Sequence, residues 1–131
     1  PLNRGGGVIF GPSPKYYFKK VNAKTKQLAF KCVLSEKVKN EALKVIDSID
    51  LKTSKTKDFV GFLESNSLQN KKMTIVVSEV DRNLELASRN IEHVKVVKAS
   101  SCSVADLMNN DALLLDAKAL DLMSERFGDK K

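Results

Sequence analysis

A run of three glycines, Gly5-Gly6-Gly7, followed by Gly11-Pro12-Ser13-Pro14, is the first stretch of this sequence that invites a chemical reading. Glycine-rich loops let backbone N–H groups close on a phosphate, so two nucleotide signatures can be tested letter by letter. The dinucleotide fingerprint needs glycine at its first, third and sixth positions; Gly5 and Gly7 fit, but Phe10 stands sixth. The P-loop needs Gly-Lys-Ser/Thr after four free positions; Gly6 and Gly11 fit, but Pro12 and Ser13 follow. Neither run is preceded by a strand pattern, and both signatures fail. His93 beside Glu92 could act as a general base, yet no Gly-x-Ser-x-Gly motif surrounds it, and it reads as an ordinary exposed histidine in a polar link. Cys32 and Cys102 form no CxxC pair, and with one histidine they are too few to hold zinc. They read as small buried hydrophobes of a reducing compartment, with a disulfide between them as the alternative. Asp106, Asp111, Asp116 and Asp121 recur at a spacing of five, which matches no helical face, and read as caps and solvated positions. No acid, base and nucleophile assemble, so no catalysis, cofactor or metal is expected.

Charge says more. The chain has 131 residues, 42% hydrophobic and 30% charged, with 23 Lys+Arg against 16 Asp+Glu and a net charge of +7. That excess sits at the front, and the second half is slightly acidic. No acidic residue occurs from Pro1 to Ser35, whereas Arg4, Lys15, Lys19, Lys20, Lys24, Lys26 and Lys31 all do, interleaved with Phe10, Tyr16, Tyr17, Phe18 and Phe30. A one-sign field repels itself, so such a segment is best explained by a polyanion that neutralises it. A lysine-rich surface kept for solubility is the blander reading; an anionic membrane is weaker, because the segment lacks a long amphipathic helix with bulky anchors. No stretch approaches the roughly 20 apolar residues of a membrane helix. No apolar h-region follows Pro1-Leu2-Asn3, so no signal peptide is visible and the chain reads as intracellular. It opens on Pro1 instead of Met, as a fragment, a processed chain or the ordered part of something longer would.

The elements that must position these residues follow from periodicity. Residues 1–20 predict an extended arm, since glycines and prolines break any helix there. Residues 21–131 predict one globular domain. Asn22 can cap a helix in which Leu28, Ala29, Cys32 and Val33 recur at helical spacing to about Val38. Ala42–Asp47 reads as a strand. Thr53 or Ser54 opens a second helix with the stripe Phe59, Phe62 and Leu63. Met73–Val77 is a strand covered on both faces, and Asp81 caps a short helix through Leu84, Leu86, Ala87 and Ile91. Val94–Val97, a short helix capped by Ser103 with Leu107 and Met108, and Ala112–Leu115 follow. A last helix, Ala117–Phe127, turns Leu120, Met123 and Phe127 inward and stops at Gly128. Alternating strands and helices with short links predict an α/β fold: a mainly parallel sheet of about four strands with helices on both faces.

The order of motifs is also familiar. Arg4-Gly5-Gly6-Gly7-Val8-Ile9-Phe10-Gly11-Pro12 resembles the signature of the large-subunit ribosomal protein L-four family, in its bacterial or organellar branch. Lys20-Val21-Asn22-Ala23-Lys24 with Leu28-Ala29-Phe30-Lys31 is similar to the family's next helix, and Lys55-Thr56-Lys57 to its Pro-Lys-Thr-Lys element, with Ser54 in place of the proline. Asp81-Arg82-Asn83-Leu84 with Ala87-Ser88-Arg89-Asn90, and Asn110–Leu115 with Lys118-Ala119-Leu120, continue the likeness in order to about Phe127. The resemblance implies an α/β domain that binds ribosomal RNA, is a structural constituent of the large subunit in translation, supports assembly and lacks catalysis. It places the protein on a ribosome, in bacterial cytoplasm, a mitochondrion or a plastid, beside other ribosomal proteins. Family members carry a further N-terminal portion and most of a tunnel-lining loop; only the returning end of that loop, Pro1 to about Gly11, is matched here.

Charge and resemblance agree on the RNA-facing residues. Arg4 forks a phosphate while the Gly5–Gly7 backbone, Gly6 included, lies close to phosphate or sugar. Lys15, Lys19, Lys20, Lys24, Lys26 and Lys31 form a basic track, with Asn22 also among the RNA-facing residues, and Tyr16 and Tyr17 either stack on unpaired bases or pack on their own domain. Lys55 and Lys57 at a helix start are either a second phosphate site or two tolerated exposed lysines beside Asp58. Arg89 either joins the RNA-facing set or ties its helix to a neighbouring loop. Two other classes remain as alternatives: a small nucleotide-binding α/β enzyme, which would show nucleotide-dependent stabilisation, and an interaction module for an acidic protein.

Overall fold

Four short runs rich in valine and leucine form the strands β1 (Leu43–Ile46), β2 (Met73–Val77), β3 (Val94–Lys98) and β4 (Ala112–Asp116). They belong to a computed structural model that describes residues 3–49, 51, 53–69 and 71–128. All pairings are parallel, in the order β1-β4-β2-β3. The central strands β2 and β4 are buried along their whole length, as continuous apolar runs covered on both faces must be. Five helices cover them among the described residues: α1 (Ala23–Lys39), α2 (Thr56–Ser65), α3 (Arg82–Ser88), α4 (Val104–Met108) and α5 (Ala117–Phe127). The α/β fold with helices on both faces is the one expected, and its sheet is parallel throughout.

Strand alternation decides which helix each strand residue meets. Met73, Ile75, Val77, Ala112 and Leu114 pack with Phe59 and Leu63 of α2 and with Leu84 and Ala87 of α3. Val76, Leu113 and Leu115 turn to the other face, against Phe30 and Val33 of α1, Leu107 of α4, and Ala119 and Met123 of α5. The chain steps across the sheet from β1 to β2 to β3 through α2 and α3, then returns to β4 through α4 on the opposite face. Right-handed crossovers require that reversal to change faces.

Several local expectations need correction. In α1 the inward residues are Phe30 and Val33, with Leu34 half-buried, while Leu28, Ala29 and Cys32 face solvent. The Phe30 ring stacks on Phe127 with centroids 3.8 Å apart, so the bulkiest apolar side chain sets the rotation of the helix. The second helix starts after Lys55, which stands at the cap position without a side-chain cap bond, and not after Thr53 or Ser54; the Thr53 hydroxyl donates instead to the Asp58 carboxylate. The helix behind Asp81 ends at Ser88, three residues short of Ile91, whose backbone N–H turns back to Ser88. In α5 Met123 is buried and Phe127 half-buried as expected, but Leu120 is exposed and Ala119, whose small side chain allows close approach to the sheet, is buried in its place. That helix does stop at Gly128, where a Cβ would stand 2.3 Å from the Ser124 carbonyl oxygen. Asp116 is not solvated; it is buried at the end of β4. Both cysteines are free; Cys102 is buried as expected, and burial, followed by the nearby Asp106 charge, pushes its thiol up to about 11, whereas Cys32 is exposed.

The packing of α1 therefore rests on Phe30. Phe30→Ala should lower stability to urea unfolding by about 3–5 kcal/mol, whereas Leu28→Ala should stay within about 0.5 kcal/mol of the parent.

Candidate nucleic-acid interface

The segment from Asn3 to Asn22 contains no helix or strand, and every residue in it is exposed. Its one internal backbone bond closes a turn: the Gly6 N–H donates to the Asn3 carbonyl at 2.7 Å, with Gly5 between them at φ +77°. That left-handed backbone is why glycine stands there. Around Gly5 and Gly7 nothing lies within 4 Å of where a Cβ would be, so both backbones are open to another surface. Farther along, Tyr16 and Phe18 stack on each other at 6.5 Å and remain 90% and 74% exposed, and Tyr17 is 83% exposed. The tyrosines therefore do not pack on their own domain. Arg4, Lys15, Lys19, Lys20, Lys24 and Lys26 are exposed and make no ion pair among the described residues. Lys31 is half-buried, two turns into α1.

Four lysines elsewhere are engaged. Lys95 pairs with Asp106 at 2.5 Å, and that ammonium, helped by the Ser103 hydroxyl, holds the Asp106 carboxyl below the usual carboxylate range. Lys72 donates to the Asn109 side chain at 2.9 Å, Lys44 to the Asn66 carbonyl at 2.7 Å, and Lys37 to the Asn110 carbonyl. These four lysines thus fasten the domain together, whereas Arg4, Lys15, Lys19 and Lys20 make no ion pair among the described residues.

Helix starts sharpen the contrast. The four first N–H groups of any helix lack intrahelical partners, and the dipole makes that end positive. At α4 the need is met by a capping box: Ser103 accepts from the Asp106 N–H, and the Asp106 carboxylate accepts from the Ser103 N–H at 3.1 Å. At α1 it is not met. Asn22 makes no side-chain cap bond, no acidic residue stands in the first turn, and Lys24 and Lys26 add positive charge. An anion there would gain the dipole, the free N–H groups and two ammonium groups together. The start of α2 is weaker, because Lys55 and Lys57 share their turn with Asp58.

In a parallel sheet with these connections the helices run opposite to the strands. The starts of α1 and α2, and with them Asn22, Lys24, Lys26, Lys55 and Lys57, therefore lie at the carboxyl edge, on opposite faces. Arg89 caps the far end of α3, at the amino edge, and is not brought together with the rest. The arginine that ties a helix to a loop is Arg126, which donates to the Ala99 carbonyl at 3.0 Å and lies 4.7 Å over the Phe127 ring. Sequence reasoning did not single it out, nor the bare start of α1. The signal for the latter was present in the missing acids of residues 1–35.

Residues 1–126 match the ribosomal protein L4/L1 family. The large ribosomal subunit protein uL4 of Onion yellows phytoplasma is 45% identical over 125 residues, which cover 95% of this chain and 60% of that protein. Proteins of the same name from Brevibacillus brevis, at 40% identity, and Halothermothrix orenii, at 38%, match over the same shares of the two chains. The chain thus spans about 60% of the length of the curated relatives it matches.

The two kinds of helix start predict different responses to truncation. Ser103→Ala should cost about 1 kcal/mol in thermal unfolding, whereas Asn22→Ala should cost only a few tenths.

Proposed function

Because this chain belongs to the ribosomal protein L4/L1 family, we propose that it is a structural, non-catalytic component of the large ribosomal subunit that holds ribosomal RNA with its front segment and supports subunit assembly. The observation that carries this reading is a run of cations without internal counter-charge leading directly into an uncapped helix start. Polyphosphate chemistry answers both at once, since it supplies a line of negative charge and acceptors for the free N–H groups.

The division of labour is as follows. Residues 1–20 act as an arm laid on RNA, and residues 21–131 as the domain that anchors it. Arg4 clamps a phosphate in a fork, and the turn at Gly5–Gly7 lets the backbone, without side chains, approach sugar and phosphate. Lys15, Lys19 and Lys20 follow the RNA backbone, while Tyr16 and Tyr17 offer rings to unpaired bases. Asn22, Lys24 and Lys26 seat a phosphate at the start of α1, with Lys31 farther along the same helix. Lys55 and Lys57 make a second contact at the same edge of the sheet. Arg89, at the opposite edge, contributes only where RNA wraps around the domain.

This reading gives a ribosomal location, with neighbouring ribosomal proteins as further partners. The relatives named above are bacterial proteins. A bacterial cytoplasm and an organelle both provide such a ribosome.

Binding to large-subunit ribosomal RNA fragments should weaken with salt at a log–log slope of roughly 3–5 in magnitude, as expected for about five to seven neutralised phosphates; a slope near zero would contradict the reading. Replacing Lys19, Lys20, Lys24 and Lys26 together with alanine should reduce RNA affinity by on the order of tenfold or more. The melting temperature should hardly move. A domain that unfolds instead would make those lysines structural.

A further inference from the structure

The carboxyl edge of the sheet also holds a small crevice of opposite character. The loops after β2 and β4 leave toward opposite faces, β2 into α3 and β4 into α5, so a gap opens between these adjacent strands. In open parallel sheets this is the place where ligands sit. Here the gap has a volume of about 120 Å³ and is lined by Ser48, Ser78, Glu79, Asp81, Asp116 and Lys118, among others. Among the described residues that line it, three carboxylates stand with one ammonium group, in a protein whose net charge is +7.

Asp116 is the telling residue. It is only 7% exposed, and its Oδ2 accepts a long bond of 3.3 Å from the Ser78 hydroxyl. Its Oδ1 has no hydrogen-bond partner among the described residues. Although it stands at the cap position of α5, its side chain makes no cap bond, and Lys118 forms no ion pair with it among the described residues. A carboxylate oxygen withdrawn from water without a donor is costly, and a positively charged donor relieves the cost most fully.

We infer that this crevice receives the cationic head of an arginine or lysine side chain from a basic polypeptide, with the Asp116 carboxylate as its counter-charge and Glu79 and Asp81 at its rim. The chemistry selects the ligand. A carboxylate oxygen accepts from a donor, and the charge of the described lining residues is negative on balance, so a cation is favoured over an anion. The volume suits one guanidinium or ammonium head and is well below the roughly 300 Å³ at which small-molecule pockets begin. Among the described residues no three His, Cys, Asp or Glu side chains are grouped to hold a metal ion. A side chain on a flexible stem reaches the floor of such a gap, while the backbone that carries it stays outside. The same head chemistry is carried by free polyamines, which the test separates.

The experiment follows backbone amide signals of residues 78–81 and 116–118 by NMR as N-acetyl-arginine amide, N-acetyl-lysine amide, spermidine or MgCl₂ is added to the whole chain. The arginine or lysine amide should shift these signals saturably, and Asp116→Asn should weaken that binding by about tenfold, the loss expected of one charged hydrogen bond. Asparagine has the shape of aspartate without its charge, so this variant keeps its fold, which a thermal melt checks. Asp81→Asn, at the rim, should weaken binding by a smaller factor and serves if Asp116→Asn does not fold. The inference is overturned if neither amide shifts the signals, if Asp116→Asn (or, in its stead, Asp81→Asn) binds as the parent does, or if only spermidine or Mg²⁺ saturates them. RNA affinity should be unchanged in Asp116→Asn, so failure here and failure of the RNA reading are distinguishable.

Discussion

A segment that carries charge of one sign cannot neutralise itself, and the architecture of this protein is arranged around that constraint. From Asn3 to Asn22 the chain is exposed, without helix or strand, and its cations find no carboxylate among the described residues. The domain behind it shows the opposite economy: Lys37, Lys44, Lys72 and Lys95 are each bonded to a carbonyl, an amide or a carboxylate of the same chain. In the segment without helix or strand, positive charge stands with no acidic residue beside it, where repulsion does not compete with packing.

The parallel sheet gives this charge a direction. Because every helix starts at the carboxyl edge, the dipoles of α1 and α2 point their positive ends the way the basic segment leaves the domain. Helix α1 is the joint between the two: Phe30 and Val33 hold it to the sheet from one side, while its first turn, without cap or acid, stays open. Between β2 and β4 the same edge turns locally acidic around Asp116, so positive and negative ground lie side by side. An RNA-facing surface and a site for a basic side chain can share one edge without competing for the same charge.

Much of this was legible in the sequence for physical reasons. Strands such as Met73–Val77 and Ala112–Leu115 announce themselves, because a sheet covered on both faces admits little but apolar residues. Ser103 was readable as a cap because Asp106 stands three residues on and completes the box. The rotation of α1 was not, since Leu28, Ala29, Cys32 and Val33 repeat as well at helical spacing as Phe30, Val33 and Leu34; the Phe127 ring decides, and it lies at the other end of the sequence. Thr53 and Ser54 looked like better caps than Lys55 by type alone, and only the contact with Asp58 removes Thr53 from that role. Strand order, the burial of Asp116 and the tie made by Arg126 depend on partners distant in the chain, which periodicity does not encode. The basic track was legible because a run of cations without acids is a local property of the sequence.

The most direct measurement is a lysine-acetylation footprint of the intact chain, free and bound to large-subunit ribosomal RNA, read residue by residue by mass spectrometry. The account requires that RNA protect Lys15, Lys19, Lys20, Lys24 and Lys26 strongly, while Lys72 and Lys118 react as they do in the free protein. Protection centred on Lys72 or Lys118, with the front lysines left reactive, would contradict it.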